Sequence, residues 1–237
     1  MTEENKNCPF FNACNHTDCD RFCMKHFKTN YYFTVGYVPE DKRNKFKMYV
    51  DRTPGENDEK AFTRLSDIES TVEEFVKSGN NLYIYSQNAG NGKTSWSFRL
   101  LRSYVDKVWY KRDLYPIILF ISVPKFLLEL KANITTPSEY VQNILEAVRK
   151  ADLVVWDDIG SKNGTEFEIS NLLNLIDDRI TNNKSNIYTS NLNRAELHNL
   201  LGDRLYSRVY NYSECIKLVG RDKRSLRNLE QKGDEVL

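Results

Sequence analysis

Ser86-Gln-Asn-Ala-Gly-Asn-Gly-Lys-Thr-Ser95 lies between an apolar, strand-like stretch, Leu82 to Tyr85, and a helical stretch that begins near Thr94. Strand, glycine-rich loop and helix in that order are the layout of a phosphate-binding loop. Gly90 and Gly92 let backbone N–H groups close round phosphate oxygens, and the helix N-terminus adds a favourable dipole. Lys93 supplies positive charge to the terminal phosphates. Thr94 offers a hydroxyl to magnesium, with Ser95 as its substitute. The usual pattern opens with a glycine where this chain has Gln87. The candidate contacts to ATP or ADP are therefore Gln87, Asn88, Ala89, Gly90, Asn91, Gly92, Lys93, Thr94 and Ser95.

A second motif narrows the reading. Ala151-Asp-Leu-Val-Val-Trp-Asp-Asp-Ile-Gly160 is an apolar run too short for a typical helix and ends in two acids. It predicts a buried parallel strand that delivers carboxylates at its C-terminal end, the end where open α/β sheets bind ligands. Asp157 is the candidate magnesium partner, directly or through water, and Asp158 the candidate for orienting or deprotonating an attacking water. Between Lys93 and Asp157 there is room for one strand and two helices.

Working outward, Ser66 to Lys77 carries Ile68, Val72, Phe75 and Val76 at helical spacing. Strands are expected at Leu82–Tyr85, Ile117–Val123, up to Asp157, and at Asn186–Ser190. Helices are expected from Thr94 to Trp109, Pro124 to Leu130, to about Lys150, and through Ile169, Leu172, Leu173 and Ile176 to about Ile180. Thr136-Pro-Ser-Glu139 reads as a capping box with proline at the first helical position. Phe27 to Tyr37 is aromatic and partly alternating, and Asp51 to Lys60 reads as a loop around Pro54 and Gly55. Alternating strands and helices predict an α/β fold, a parallel sheet covered by helices on both faces. Cys215, in an apolar stretch, reads as a core residue.

The 237 residues and formal net charge of +1 fit one large domain plus a small appendage, and argue against a strongly basic nucleic-acid clamp. The opening Met1-Thr-Glu-Glu-Asn-Lys6 lacks signal-peptide character, and Ile117–Val123 falls well short of the ~20 apolar residues of a membrane helix. A soluble, cytoplasmic protein is expected. Four of the five cysteines, Cys8, Cys14, Cys19 and Cys23, lie near the start with five, four and three intervening residues, and His16 and His26 are close by. In a reducing compartment such a cluster suits zinc better than disulfides, with an iron–sulfur cluster or unliganded thiols as the alternatives, and zinc would stabilise a segment with little apolar surface. The four cysteines are the first ligand set, and His26 in place of one of them is the alternative. The chain divides into a cysteine-rich zinc-binding module for partner binding, residues 1–35, and a nucleotide-binding domain, residues 36–237.

Three further features bear on function. Asn191 ends the strand after the Asp157 strand and, if those strands are neighbours, reaches the γ-phosphate or the water attacking it. Arg204 and Arg208, four apart, share a helix face and can extend planar cations into a neighbouring subunit's nucleotide. Arg221 or Arg224 can approach the same nucleotide from the C-terminal part. For nucleic acid the candidate is Arg99 to Tyr115, where Arg99, Arg102, Lys107, Lys111 and Arg112 alternate with Tyr104, Trp109, Tyr110 and Tyr115. Amphipathic helix packing is the competing explanation for most of these aromatics.

Gly90-Asn-Gly-Lys-Thr94, Leu153-Val-Val-Trp-Asp-Asp-Ile-Gly160, Tyr188-Thr-Ser-Asn191 and Arg204-Leu-Tyr-Ser-Arg208 come in the order found in a known family. The chain resembles the AAA+ helicase loaders of the DnaC and DnaI type, with DnaA and the IstB transposition ATPases as relatives, over roughly Val38 to Arg224. The resemblance implies an AAA+ P-loop ATPase, slow and stimulated by DNA or a partner. It makes Asn191 the sensor-1 residue, Arg208 the arginine finger with Arg204 as its alternative, and Arg224 a sensor-2 residue. It also implies a replicative DNA helicase held by the N-terminal module, single-stranded DNA bound by the ATPase domain, and self-association through that domain. Size alone is consistent with a loader encoded by a phage or mobile element. The competing readings are an IstB-like transposition helper ATPase and a non-hydrolysing, ATP-stabilised adaptor of the helicase.

Overall fold

In a computed structural model, residues 23–43, 48, 57–161 and 164–223 are described. In chain order they form α1 (Met24–Val35), α2 (Glu59–Ser70), α3 (Val72–Lys77), β1 (Asn81–Tyr85), α4 (Lys93–Val108), β2 (Ile118–Ser122), α5 (Val123–Ala132), α6 (Glu139–Lys150), β3 (Leu153–Asp157), α7 (Glu166–Thr181), β4 (Ser185–Ser190), α8 (Arg194–Tyr206) and β5 (Ser213–Lys217). The five strands pair in the order β2-β3-β4-β1-β5, every pair parallel. All C-terminal strand ends therefore share one edge, and the loops leaving β1, β3 and β4 meet there.

Alternate side chains of each strand enter opposite cores. Leu153 and Val155 of β3 join Leu82, Ile84 and Ile187 under α1 to α4. Val154 and Trp156 join Tyr83, Ile121 and Tyr188 under α5 to α8. A strand buried on both faces loses the apolar–polar alternation of a half-exposed one, which is why Leu153 to Trp156 reads as an unbroken apolar run. At the opposite, N-terminal edge of the sheet a polar network fixes the register. The Asn186 amide accepts from Trp156 Nε1 at 3.0 Å and from Arg179 Nε at 2.7 Å, and donates to Asn81 Oδ1 at 2.9 Å. No helix among the described residues is long and apolar enough to cross a membrane.

The structure departs from the sequence reading at several elements. The aromatic stretch from Phe27 is helix α1, not an alternating segment. Tyr32 and Phe33 are buried, and Tyr32 Oη donates to the carbonyls of Arg112 and Asp113 at 3.0 and 3.1 Å. Packing against the α4 end overrides the β-propensity of the aromatics. The helix expected from Ser66 starts at Glu59 and is interrupted at Thr71, so it becomes α2 and α3. At α6 the N-cap is Ser138 without a side-chain cap, and Asn133 Oδ1 takes the Ser138 N–H instead of a Thr136–Glu139 box. Full capping boxes occur at α7, with Thr165 and Glu168, and at α8, with Asn193 and Glu196. Strand β5 lies at the sheet edge, and Cys215 on it is exposed rather than in the core.

Candidate nucleotide-binding site

The loop between β1 and α4 turns through two glycines with positive φ, 70° at Gly90 and 109° at Gly92, where a β-carbon would be strained. It opens onto a cavity of about 460 Å³ lined by Ala89 to Ser95, Phe98, Asp157, Asp158, Thr189, Asn191, Lys42, Met48 and Lys223. Nearly all the sequence-predicted nucleotide contacts thus face one space. Gln87 and Asn88 are exposed and are not among the lining residues. Gln87, where the usual pattern has glycine, thus lies outside the cavity lining.

Lys93 is buried, and its ammonium donates to the Asn88 carbonyl at 2.9 Å across the loop it must serve. Thr94 Oγ1 donates to Asp157 Oδ1 at 2.8 Å. Thr189 Oγ1 donates to the same oxygen at 2.6 Å and accepts the Asp158 N–H at 2.9 Å. One hydroxyl thereby fixes both acids. Asp158 has φ 62°, a left-handed conformation uncommon outside glycine, and its Oδ1 accepts from Asn191 Nδ2 at 3.1 Å. The β3–β4 register, with Trp156 opposite Tyr188, puts Thr189 beside Asp157.

Burial raises the Asp157 pKa above the ordinary carboxylate value. The Thr189 and Thr94 hydroxyls pull the other way, the Asp158 charge adds to the rise, and Lys93 opposes it. A folded-state pKa raised above the unfolded one means that keeping Asp157 ionised costs stability above that pKa, and that the cost disappears as pH falls through the carboxylate range. Asp157→Asn is expected to raise the melting temperature of the nucleotide-free protein at neutral pH, with the gap to wild type closing at acid pH, and to remove magnesium-dependent nucleotide affinity. Scanning calorimetry across pH checks the first part; an unchanged or lower neutral-pH melting temperature counts against it.

The donor set suits magnesium. Thr94 and Asp157 offer hard oxygens 2.8 Å apart in a cavity whose remaining lining includes Lys93 and the loop residues Ala89 to Gly92. Arg204 and Arg208 line a different surface groove of about 440 Å³ with Asp177, Asp203 and Ser207, which shares no residue with the nucleotide cavity. Arg208 pairs with Asp177, and its guanidinium lies 5.2 Å from the Tyr212 ring centre. Gly202, at φ 70° and ψ 166°, breaks α8 ahead of both arginines; Arg204 lies in the last α-helical turn and Arg208 in the π-helical turn Ser207–Asn211 that follows, so they share a groove without sharing one regular helix. Arg224, Cys8, Cys14 and Cys19 lie outside the described residues. Cys23 precedes α1, and His26 in its first turn contacts Asn30 Nδ2 at 2.7 Å. Among the described residues no three His, Cys, Asp or Glu side chains group as a metal site.

The basic aromatic stretch from Arg99 to Tyr115 is divided, with Tyr110 and Lys111 exposed. Tyr104 and Trp109 are buried, Arg99 pairs with Glu69, Lys111 with Glu73 and Arg112 with Asp152. Helix packing accounts for the two buried aromatics. Sequence reasoning missed the site roles of Thr189, Lys42, Met48 and Lys223. Thr189 was visible as a strand residue, but its partner depends on the strand order.

The family model described as IstB-like ATP binding protein matches residues 57–225, most of the chain and nearly all of the cavity lining. The chain belongs to this IstB-like family. Among solved structures, this IstB-like chain is similar to the DnaC helicase loader, at 18% identity and a TM-score of 0.57 over 79% of this chain and 98% of that one. It is similar to DnaI at 20% identity and a TM-score of 0.52, covering 68% and 84%. It is also similar to domain III of the Thermotoga maritima replication initiation protein DnaA, at 25% identity and 0.51, covering 72% and 69%. The loader likenesses are of fold alone. Comparison with curated protein sequences gives no match.

Proposed function

We propose that this chain is an ATP-hydrolysing loader that binds the replicative DNA helicase and delivers it to single-stranded DNA. The observation that carries the ATPase part is the convergence of Lys93, the Thr94–Asp157 pair and the Asp158–Asn191 pair on one cavity. Lys93 and the loop N–H groups bind the phosphates. Thr94 and Asp157 hold magnesium, which when bound neutralises charge on the phosphate oxygens. Asp158 orients or deprotonates the attacking water, and Asn191 holds the Asp158 carboxylate toward it. Arg208, with Arg204 as its alternative, enters from a neighbouring subunit, so that hydrolysis and self-association are coupled. Arg224 is proposed as a further phosphate contact.

The helicase and DNA roles rest on the shared fold with the loaders. The helicase is proposed to be held by residues 1–35, with zinc on Cys8, Cys14, Cys19 and Cys23 or with His26 replacing one cysteine. Of these residues, helix α1 packs on the sheet core through Tyr32 and Phe33. Membership of the IstB-like family favours a second reading, a transposition helper that acts with a transposase on duplex DNA.

The deciding experiment measures steady-state ATP hydrolysis with single-stranded and duplex DNA, alongside co-purification with the cognate replicative helicase. The loader reading expects stimulation by single strands, helicase capture, and loss of capture when zinc is chelated. Preference for duplex DNA without helicase capture supports the transposition helper. ATP binding without hydrolysis under any condition leaves the adaptor.

A further inference from the structure

After β5 the chain continues along the phosphate loop. The Leu218 N–H extends the β1 pairing by donating to the Tyr85 carbonyl at 2.9 Å. Asn88 Nδ2 donates to the Val219 and Gly220 carbonyls at 3.0 and 3.3 Å, and Asn91 Nδ2 donates to the Leu218 carbonyl at 3.5 Å. The Lys223 N–H donates to the Gly90 carbonyl at 3.0 Å. A β-carbon on Gly90 would fall 1.9 Å from Asp222 Oδ1, the end of an exposed side chain that can turn aside, so what this approach asks of glycine is the φ of 70°.

Asp58 anchors the far side of these residues. It is 1% exposed, its Oδ1 accepts the Val219 N–H at 2.7 Å, and its Oδ2 accepts the Gly220 N–H at 3.1 Å and lies 3.6 Å from Lys223 Nζ. Asp58 also stands at the N-cap of α2, where an aspartate ordinarily accepts an N–H of its own helix. Here it makes no such bond, and the Glu59 N–H goes to Asn57 Oδ1 instead. A buried carboxylate is turned from its local partner to a segment some 160 residues on.

We propose that Asp58 is a positioning residue for the nucleotide. It acts through residues 218–223, a strap that holds the phosphate loop, so that ATP occupancy and strap closure stabilise each other. The chain of contacts is short. Asp58 fixes the Val219 and Gly220 amides, their carbonyls fix Asn88, and the Asn88 carbonyl receives the Lys93 ammonium. Strap opening therefore moves the cation that binds phosphate, and by reciprocity bound phosphate favours the closed strap.

The inference rests on ATP occupying the cavity, and the test separates the two. Hydrogen exchange is followed on the full chain with and without ATP and magnesium, and ATP affinity is measured by calorimetry for wild type, Asp58→Asn and Asn88→Ala. ATP is expected to slow exchange of the Val219, Gly220 and Lys223 amides about tenfold, and both variants to lose that slowing and bind ATP about tenfold more weakly. A folded Asp58→Asn protein with wild-type affinity overturns the proposal. If the variants fail to fold, unchanged strap exchange in wild type on ATP addition overturns it equally. No ATP uptake by wild type sinks the nucleotide reading itself, and the strap with it.

Discussion

Arg179→Leu is expected to lower the stability of the domain by about 4 kcal/mol and its melting temperature by about 10 °C. Arg179 is 1% exposed, and its guanidinium donates to the carbonyls of Val148, Ala151, Asp152 and Ser185 and to Asn186 Oδ1. These acceptors belong to the end of α6 and the starts of β3 and β4, which the single cation ties together. Burial pushes its pKa down to about 9, which leaves it charged at neutral pH. Leucine fills part of the volume but abandons several buried acceptors, each worth roughly 1–3 kcal/mol when left without a donor. Lysine keeps the charge but not the planar fork, so an intermediate loss is expected. The network lies at the strand edge opposite the nucleotide cavity, so protein that remains folded should bind ATP normally. Denaturant unfolding and nucleotide titration read the two separately; a melting shift under about 3 °C contradicts the assignment.

Arg208→Ala is expected to cut ATP hydrolysis about 10³-fold while leaving ATP affinity and melting temperature nearly unchanged. The side chains of Arg208 and Asp177 are 34% and 42% exposed, and an ion pair that open contributes at most about 1 kcal/mol to stability. A large rate loss would therefore report a role in the reaction, not in folding. Mixing gives the sharper result. Lys93→Ala subunits lack the phosphate cation but carry Arg208, and Arg208→Ala subunits have the opposite defect. If Arg208 acts on a neighbour's nucleotide, equimolar mixing of the two inactive variants restores part of the hydrolysis. Mixtures as inactive as their components would place Arg208 outside that role.

The placement of much of the candidate site round one cavity was legible because its residues come in short contiguous motifs. Gly90 to Thr94 needs only a strand before it and a helix after it, and Leu153 to Asp158 declares its burial by its apolar run. Asn191 was legible with a condition attached, that β3 and β4 be neighbours, and the parallel pairing met it. The Arg99–Tyr115 stretch shows the reverse. Its composition suits nucleic acid, but Tyr104 and Trp109 are buried by packing and Arg99, Lys111 and Arg112 pair with Glu69, Glu73 and Asp152, none of which the composition announces. The alternation of Phe27 to Tyr37 misled for a related reason, since a helix docked on the core buries two adjacent aromatics as readily as a strand buries alternate ones.

The amino-acid sequence by itself determined the α/β alternation, the phosphate loop and the acid-ended strand, because each depends on residues close together in the chain. Only the tertiary structure decided that Thr189 fixes both acids, that Arg179 joins α6 to two strands, and that Asp58 reaches the strap beside Gly90. Those partners are distant in sequence, and what makes them meet is the strand order and the burial it imposes. A buried polar group must find a partner wherever the fold brings one, and no local pattern names that partner in advance.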